Sequence, residues 1–379
     1  MTGAGKTGEK KTYFIIAGEP SGDLHGAKLV AAMKKRSPNL RFVGNGGNKM
    51  QEEGVDLLYH TDQLSVMGFS EVFTHIPFLL KVFRNTLKKI VEIKPDRIIL
   101  IDYPGFNLRM AKKCARLSIP TTYFILPQLW AWKENRIKTF HKFIDQSLSI
   151  FPFEQSWYEK RGVSANYVGH PFIELGPPKQ TKSEFYRKHK LKKNTKILTL
   201  LPGSRQQETD KMWPVFYEAA HEIKKNNNNL EIIIAKSSGV NLHQKEDCHV
   251  EEEDVYASIL YATAAITASG TASLECAVLD TPQVVCYKLS SFSGFIAKQM
   301  NKAPFVSMPN LIVGRTVVNE LLQKEVNSEN ITRHLLPLLK DSPQRKLMLQ
   351  GFEEIRRSLG IPGAYERAAE SILKKTRHG

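Results

Sequence analysis

Short, nearly continuous apolar runs alternate with helically periodic stretches along almost the whole chain, and they do so in two successive series. A strand buried on both faces reads as such a run, and strands that alternate with helices build a parallel sheet covered on both sides. In the first series, strands are predicted at 12–17, 41–44, 97–102, 121–125 and 146–150, with helices at 24–35, 77–93, 107–117 and 153–161. The pattern breaks near Gly169-His170-Pro171, and the Pro- and Lys-rich stretch 176–182 reads as a linker. A second series follows, with strands at 197–201, 230–235, 264–268 and 283–287 and helices at 213–226, 257–262 and 272–279. The expectation is an α/β protein made of two doubly wound, Rossmann-like domains facing a central cleft, its site at the carboxyl ends of both sheets. The closing helices, 344–359 and 364–375, could pack on either half.

At 379 residues the chain exceeds what one hydrophobic core usually serves, which agrees with two domains. No apolar run approaches the roughly 20 residues of a spanning helix, and no secretory signal opens the chain, so a cytoplasmic protein is expected. The four cysteines are scattered without C-x-x-C spacing, which argues against zinc and against a disulfide framework. The formal charge of +16 would attract nucleic acid, anionic lipid or phosphorylated substrates alike. Nucleic acid finds no support, because no C₂H₂ spacing, RNP-type strand or basic-leucine heptad is present.

Two glycine turns in the second series suit an anion. Gly203-Ser204-Arg205 follows a buried strand, where a glycine admits a ligand close to the backbone and the serine and arginine can donate to it. A plain strand-to-helix turn is the alternative. Ser269-Gly270-Thr271 lies between a strand and a helix, and its free N–H groups and the helix dipole suit a diphosphate. Glu275, one turn further on, is placed either to take both ribose hydroxyls of a nucleotide or simply to sit on an exposed helix face.

In the first series Asp102 ends an apolar strand, where open α/β sheets keep their working residues. Apolar neighbours would move its pKa toward a general base's range, although a helix cap is the competing reading. The first strand-to-helix loop, 18–23, offers Glu19 and Ser21 to a substrate, while Asp23 reads equally as an N-cap. Trp130, Trp132, Lys133 and Arg136 combine flat apolar surface with cations, suited to a sugar or a phosphate, or to core packing. The stretch 66–90 carries Phe69, Phe73, Phe78, Leu79 and Phe83 among Lys81 and Arg84, a pattern that fits a membrane interface or a core helix. A weaker second patch surrounds Phe292 and Phe295.

Other patterns fail. Gly3-Ala4-Gly5-Lys6-Thr7 lacks the earlier glycine and the preceding strand of a P-loop. The acidic run 251–254 reads as a helix start rather than a metal site. No Asp-x-Asp faces the expected cleft, so neither a divalent metal nor another cofactor is called for.

Taken in order, the motifs AGEPSGDLHG (17–26), VMGFSEV (66–72), IDYPGFN (101–107), PQLWAWKENR (127–136), FPFE (151–154), VGHP (168–171), LLPGSR (200–205), SGTASLE (269–275) and SMPNLIVGR (307–315) resemble the lipid-A-disaccharide synthase family. Only the segment before Thr12 falls outside the match. The resemblance implies a GT-B fold and an inverting, metal-independent transfer. The donor would be UDP-2,3-diacylglucosamine and the acceptor the 6-hydroxyl of 2,3-diacylglucosamine 1-phosphate. The products would be a β(1→6) disaccharide phosphate and UDP. On this chain the family's base falls on Asp102, its diphosphate-binding arginine on Arg205, and its nucleotide loop on Ser269, Gly270 and Thr271 with Glu275. Asn310 and Arg315 belong to a further donor-side motif. The resemblance also implies a terminal helix that returns to the first domain, giving domains 1–172 plus 352–379 and 173–351. It further implies a peripheral position on the inner face of a bacterial inner membrane, and a homodimer through exchanged C-terminal segments. One departure stands out: the family often has a second aspartate in the IDYPGFN motif, where this chain has Gly105. A 2-epimerase acting on UDP-N-acetylglucosamine, or a related GT-B transferase, is the rival reading.

Overall fold

The computed structural model describes residues 11–65, 72–131, 133–237, 239–243, 246–288 and 305–377. The chain divides into two compact units, one of residues up to Pro171 together with those from Ile361, the other Phe172–Gly360. The expected first crossing, at 172, is therefore displaced by one residue. The second falls at Gly360 rather than 352, because helix α14 (Pro343–Ser358) packs on helices α11 (Thr271–Val278) and α12 (Met308–Val313) of the second unit.

The first unit is built on a parallel sheet of seven strands: β1 (Thr12–Ala17), β2 (Arg41–Gly46), β3 (Val55–His60), β4 (Arg97–Ile101), β5 (Thr121–Phe124), β6 (Gln146–Ser149) and β7 (Ala165–Tyr167). Their order across the sheet is β3-β2-β1-β4-β5-β6-β7, so the winding reverses between β1 and β4. The central strands are buried along their whole length, and β4, of sequence RIILI, has no exposed residue. That double burial explains why they read as unbroken apolar runs. Helices α1 (Pro20–Arg36), α2 (Asn48–Glu52), α3 (Thr61–Ser65), α4 (Val72–Ile93), α5 (Pro104–Ala115), α6 (Ile137–Phe143) and α7 (Pro152–Glu159) accompany these strands. The loop expected at 18–23 shortens to Gly18 and Glu19, since Pro20, whose ring presets the helical φ, starts α1 four residues early.

The second unit holds a parallel sheet of β8 (Lys196–Leu201), β9 (Leu230–Ala235), β10 (His249–Glu251), β11 (Ala264–Ala268), β12 (Gln283–Tyr287) and β13 (Asn319–Leu322), in the order β10-β9-β8-β11-β12-β13. Here the winding reverses between β8 and β11. Beyond α11, α12 and α14, its helices include α8 (Lys182–Lys188), α9 (Gln206–Lys225), α10 (Val255–Leu260) and α13 (Ser328–Leu335). The acidic run divides its labour. Asp254 caps α10 through the Ala257 N–H, whereas Glu251 is buried and binds Lys188, His189 and two backbone N–H groups.

Helix α15 (Ala364–Arg377) belongs to the first unit and packs along α1. Polar contacts fix it. Arg97, only 2% exposed, donates from Nε to Thr376 Oγ1 at 3.0 Å, and Gln146 donates to Ser371 Oγ at 2.8 Å. Among the described residues no helix is long and apolar enough to cross a membrane.

Candidate functional site

In the first unit, β1 and β4 flank the point where the winding reverses, and Ala17 is in register with Ile101. Asp102 and Glu19 thus emerge from the carboxyl ends of neighbouring strands at the switch point, the usual place for a ligand in such a sheet. The backbone there is strained. Asp102 and Tyr103 take left-handed conformations in succession, with φ of 44° and 48°. For residues with a Cβ each such turn costs about 1–2 kcal/mol, and strain of this kind persists only where neighbours enforce it.

The enforcing neighbours are Asn107 and Tyr123. Asn107 is fully buried, and its Nδ2 donates to the carbonyls of Ile101 (3.1 Å) and Asp102 (2.7 Å). The Tyr123 hydroxyl donates to the same Asp102 carbonyl at 2.5 Å. Burial and the negative charge of Asp102 raise the Tyr123 phenol far above its ordinary pKa, so it remains a donor. Neither residue was singled out from the sequence. Asn107 had a signal, its fixed place five residues after Asp102 in IDYPGFN. Tyr123 had none, since a tyrosine inside a buried strand looks like core.

Gly18 admits the Tyr103 ring, which lies 2.3 Å from where a Cβ would stand. Burial and the nearby Glu19 raise the Tyr103 pKa, which puts Glu19 in the same neighbourhood. Glu19 is half-buried and Ser21 exposed on the first turn of α1. Asp23 turns away, accepting from the N–H groups of Gly47, Lys49 and Met50; it caps α2, not its own helix. Gly105 is exposed with open space around it, so the missing second aspartate is not excluded by crowding.

Beyond β5, Trp130 donates its indole N–H to Glu154 at 3.3 Å and packs edge-on against Phe153, which makes it a structural tryptophan. Arg136 precedes α6, and its positive charge reaches Tyr123. Trp132 lies outside the described residues, as do Phe69 and the second apolar patch around Phe292; the side chain of Phe73 likewise cannot be described.

The membrane expectation for α4 needs correction in part. Phe78 meets Tyr59 and Phe83 meets Phe106 in edge-to-face contacts, so both rings join the core of the first unit. Leu79 is half-buried. What α4 exposes is a stripe at four-residue spacing, Ile76, Leu80, Arg84 and Lys88, flanked by Lys81. An amphipathic helix spends its aromatic face on the core here because the interior takes the larger rings.

In the second unit the two glycine turns come together. β8 and β11 are adjacent, Leu201 being in register with Thr267, so residues 203–205 and 269–271 leave neighbouring strand ends at the second switch point. α9 begins immediately after Arg205, earlier than periodicity suggests, so the amino ends of α9 and α11 both follow these turns. Their summed dipoles favour an anion. Gly203 has a φ of 131°, open to glycine and costly for other residues. The Arg205 side chain is 70% exposed and lies 3.6 Å from Glu208, available to swing onto a ligand. Gly270 has open space above it, and Thr271 is exposed. The Ser269 hydroxyl, by contrast, donates to the Val306 carbonyl at 2.9 Å. Glu275 is half-buried, and burial pushes its carboxyl up to about 7.

Asn310 departs from the expected ligand-binding role. Its Nδ2 donates to the Val318 carbonyl and to Glu320, and its Oδ1 accepts from the N–H groups of Val317 and Val318. With every valence used and 1% exposure, it shapes the 306–318 segment instead of reaching a ligand. Glu320, which also accepts from Val306 and Ser307, completes that brace. Arg315 pairs with Glu354 of α14 and rims a surface cavity of about 490 Å³ with Arg333 and His334.

A family model described as lipid-A-disaccharide synthetase matches residues 13–372. The chain belongs to the lipid-A-disaccharide synthetase family. A lipid-A-disaccharide synthase of Myxococcus xanthus is 38% identical over 95% of this chain and 96% of its own length. One of Syntrophus aciditrophicus is 36% identical over 96% and 97%. A solved structure of a putative UDP-N-acetylglucosamine 2-epimerase from Listeria monocytogenes superposes with a TM-score of 0.65, covering 98% of both chains at 13% identity. That likeness shows the fold alone, which is GT-B: two Rossmann-like units in tandem. Family membership makes this chain a UDP-sugar-dependent glycosyltransferase of lipid A biosynthesis.

Proposed function

We infer that the chain transfers 2,3-diacylglucosamine from its UDP donor to the 6-hydroxyl of 2,3-diacylglucosamine 1-phosphate. The observation that carries the mechanism is the clamped, left-handed Asp102 at the first switch point. In this reading the Asp102 carboxylate takes the proton from the acceptor hydroxyl as that oxygen bonds to the anomeric carbon. The bond from that carbon to the diphosphate oxygen breaks on the opposite face, which inverts the centre and releases UDP. The second unit stabilises the departing diphosphate with Arg205, the N–H groups of 269–271 and the helix ends behind both turns. Glu275 holds the ribose hydroxyls, and Glu19, Ser21 and Arg136 line the acceptor side.

The diacylated substrates reside in a membrane, and the Ile76-Leu80-Arg84-Lys88 stripe is the seat we propose for it. Apolar side chains interleaved with cations suit an anionic bilayer surface. The site residues are tested by Asp102→Asn, which keeps the shape and removes the base. Disaccharide formation, followed by mass spectrometry of defined donor and acceptor pairs, should fall by two or more orders of magnitude while UDP affinity holds. Undiminished turnover removes Asp102 from the mechanism. Release of UDP without any acceptor would instead favour a 2-epimerase-like reaction.

A further inference from the structure

Glu154 is a buried acid that the mechanism above leaves unused. It sits in α7 with no exposed surface, among Phe151, Phe153, Tyr158 and Trp130. Its Oε1 accepts one long hydrogen bond, from the Trp130 indole, and its Oε2 is buried with no partner among the described residues. A carboxylate needs two or three donors to remain charged in such a place. Burial, with a smaller contribution from the charge of Asp102, outweighs the opposing influence of the Trp130 indole and the Phe151 backbone and pushes this one up to about 8, so the neutral acid is favoured at physiological pH.

The position gives that proton a use. Trp130 belongs to the segment after β5 that carries Lys133 and Arg136, the cations on the acceptor side, and Glu154 is the group that holds its indole. We propose that protonated Glu154 is a positioning residue, which holds the Trp130 segment in its working place, and that loss of its proton disables acceptor use. Ionisation would tighten the indole's hydrogen bond. But it would set a second negative charge near Asp102, where a phosphorylated acceptor must bind, and would draw water toward the buried oxygen, which moves the segment from its working place. The groups around Glu154 do not titrate in its place. Tyr123 on β5 and Tyr158 on α7 are held above their ordinary range, and His170, whose ring meets Phe151, is pushed down to about 3. Lys133 is lowered by desolvation and Arg136, and variants at 154 separate its contribution.

The role in acceptor use rests on the transferase reading; the protonation state does not, and the test uses both. The fluorescence of Trp130, taken as the difference between the whole protein and its Trp130→Phe variant, should titrate with a midpoint near pH 8, and Glu154→Gln should abolish that step. In transfer assays, kcat/KM for the acceptor should fall about tenfold per pH unit above the midpoint, with KM for the UDP donor unmoved. Glu154→Ala should lose activity at every pH, and Glu154→Gln, a permanently neutral side chain of the same shape, should rescue it and carry it past pH 9. The proposal is overturned if the fluorescence step persists in Glu154→Gln, or if that variant keeps the alkaline fall or is as inactive as Glu154→Ala. A wild-type protein that shows the fluorescence step but makes no disaccharide would point to failure of the transferase reading alone.

Discussion

Replacing Asn107 with leucine removes the clamp on Asp102 while filling nearly the same volume. Two hydrogen bonds are lost, to the carbonyls of Ile101 and Asp102, worth about 1 kcal/mol each. Against them stand two successive left-handed residues that together store about 2–4 kcal/mol. With Asn107 present, the Tyr123 hydroxyl brings the restraint to three hydrogen bonds, about 3 kcal/mol, which roughly balances the strain. Losing about 2 kcal/mol of it lets the backbone relax and leaves about one molecule in 30 with the carboxylate in its working place. Because balance leaves about half of the wild-type molecules in that place, Asn107→Leu should lower kcat by about 15-fold at saturating acceptor, with UDP affinity in the second unit unchanged. Adding Tyr123→Phe should lower it further, by more than Tyr123→Phe does alone. Steady-state transfer rates alongside calorimetric UDP titrations provide the check. Should Asn107→Leu retain more than a third of the wild-type kcat, the strain is not held by this residue and the argument is wrong.

Gly105→Asp should raise the melting temperature by a few degrees in scanning fluorimetry, because an aspartate in the first turn of α5 replaces a glycine and faces open space; the gain is about 1 kcal/mol. On the proposed ribose contact, Glu275 should make UDP binding pH-dependent: the carboxyl is ionised above about 7, and only the carboxylate accepts strongly with both oxygens. Affinity should thus weaken by about tenfold from pH 8 to pH 6, and Glu275→Gln should remove this component from calorimetric titrations. Acid should destabilise the first unit through His170, which burial holds neutral down to about pH 3 while its unfolded counterpart protonates below about 6.5. The stability is present above pH 6.5 and lost as pH falls, by about 2 kcal/mol at pH 5. Amide exchange in β5 and β6 should report that loss and show it diminished in His170→Asn.

The legible part of the fold was its centre. Strands β1, β4, β5 and β6 and strands β8, β9, β11 and β12 announce themselves because both faces are buried along nearly their whole length. β3, β7, β10 and β13 went unread, and they are the four edges of the two sheets. An edge strand shows one side to water, so its run is short or mixed, as in Val55–His60, where Val55 alone is fully buried. The same division governs the site. Asp102, Glu19 and both glycine turns could be nominated as candidates because strand ends and turns carry a local signature. Tyr123 and Glu154 meet partners brought to them by the fold from more than 20 residues away, and their own neighbours in sequence look like core. Asn310 misled for the opposite reason: a motif asparagine reads as a ligand, but its amide closes a loop. Phe78 and Phe83 misled because hydrophobic periodicity cannot say whether an apolar face meets lipid or protein.

Arg97 begins the strand that Asp102 follows, and its guanidinium donates to Thr122 within the sheet and to Thr376 and the Lys375 carbonyl in the last turn of α15. Those partners leave the ribosome only after the entire second unit. Until they arrive, a buried cation at the head of that strand keeps Thr122 but lacks these partners, and α1 lacks the helix that packs along it. Synthesis thus carries its own order: the second unit can mature first, and the first is completed only by a helix made after it.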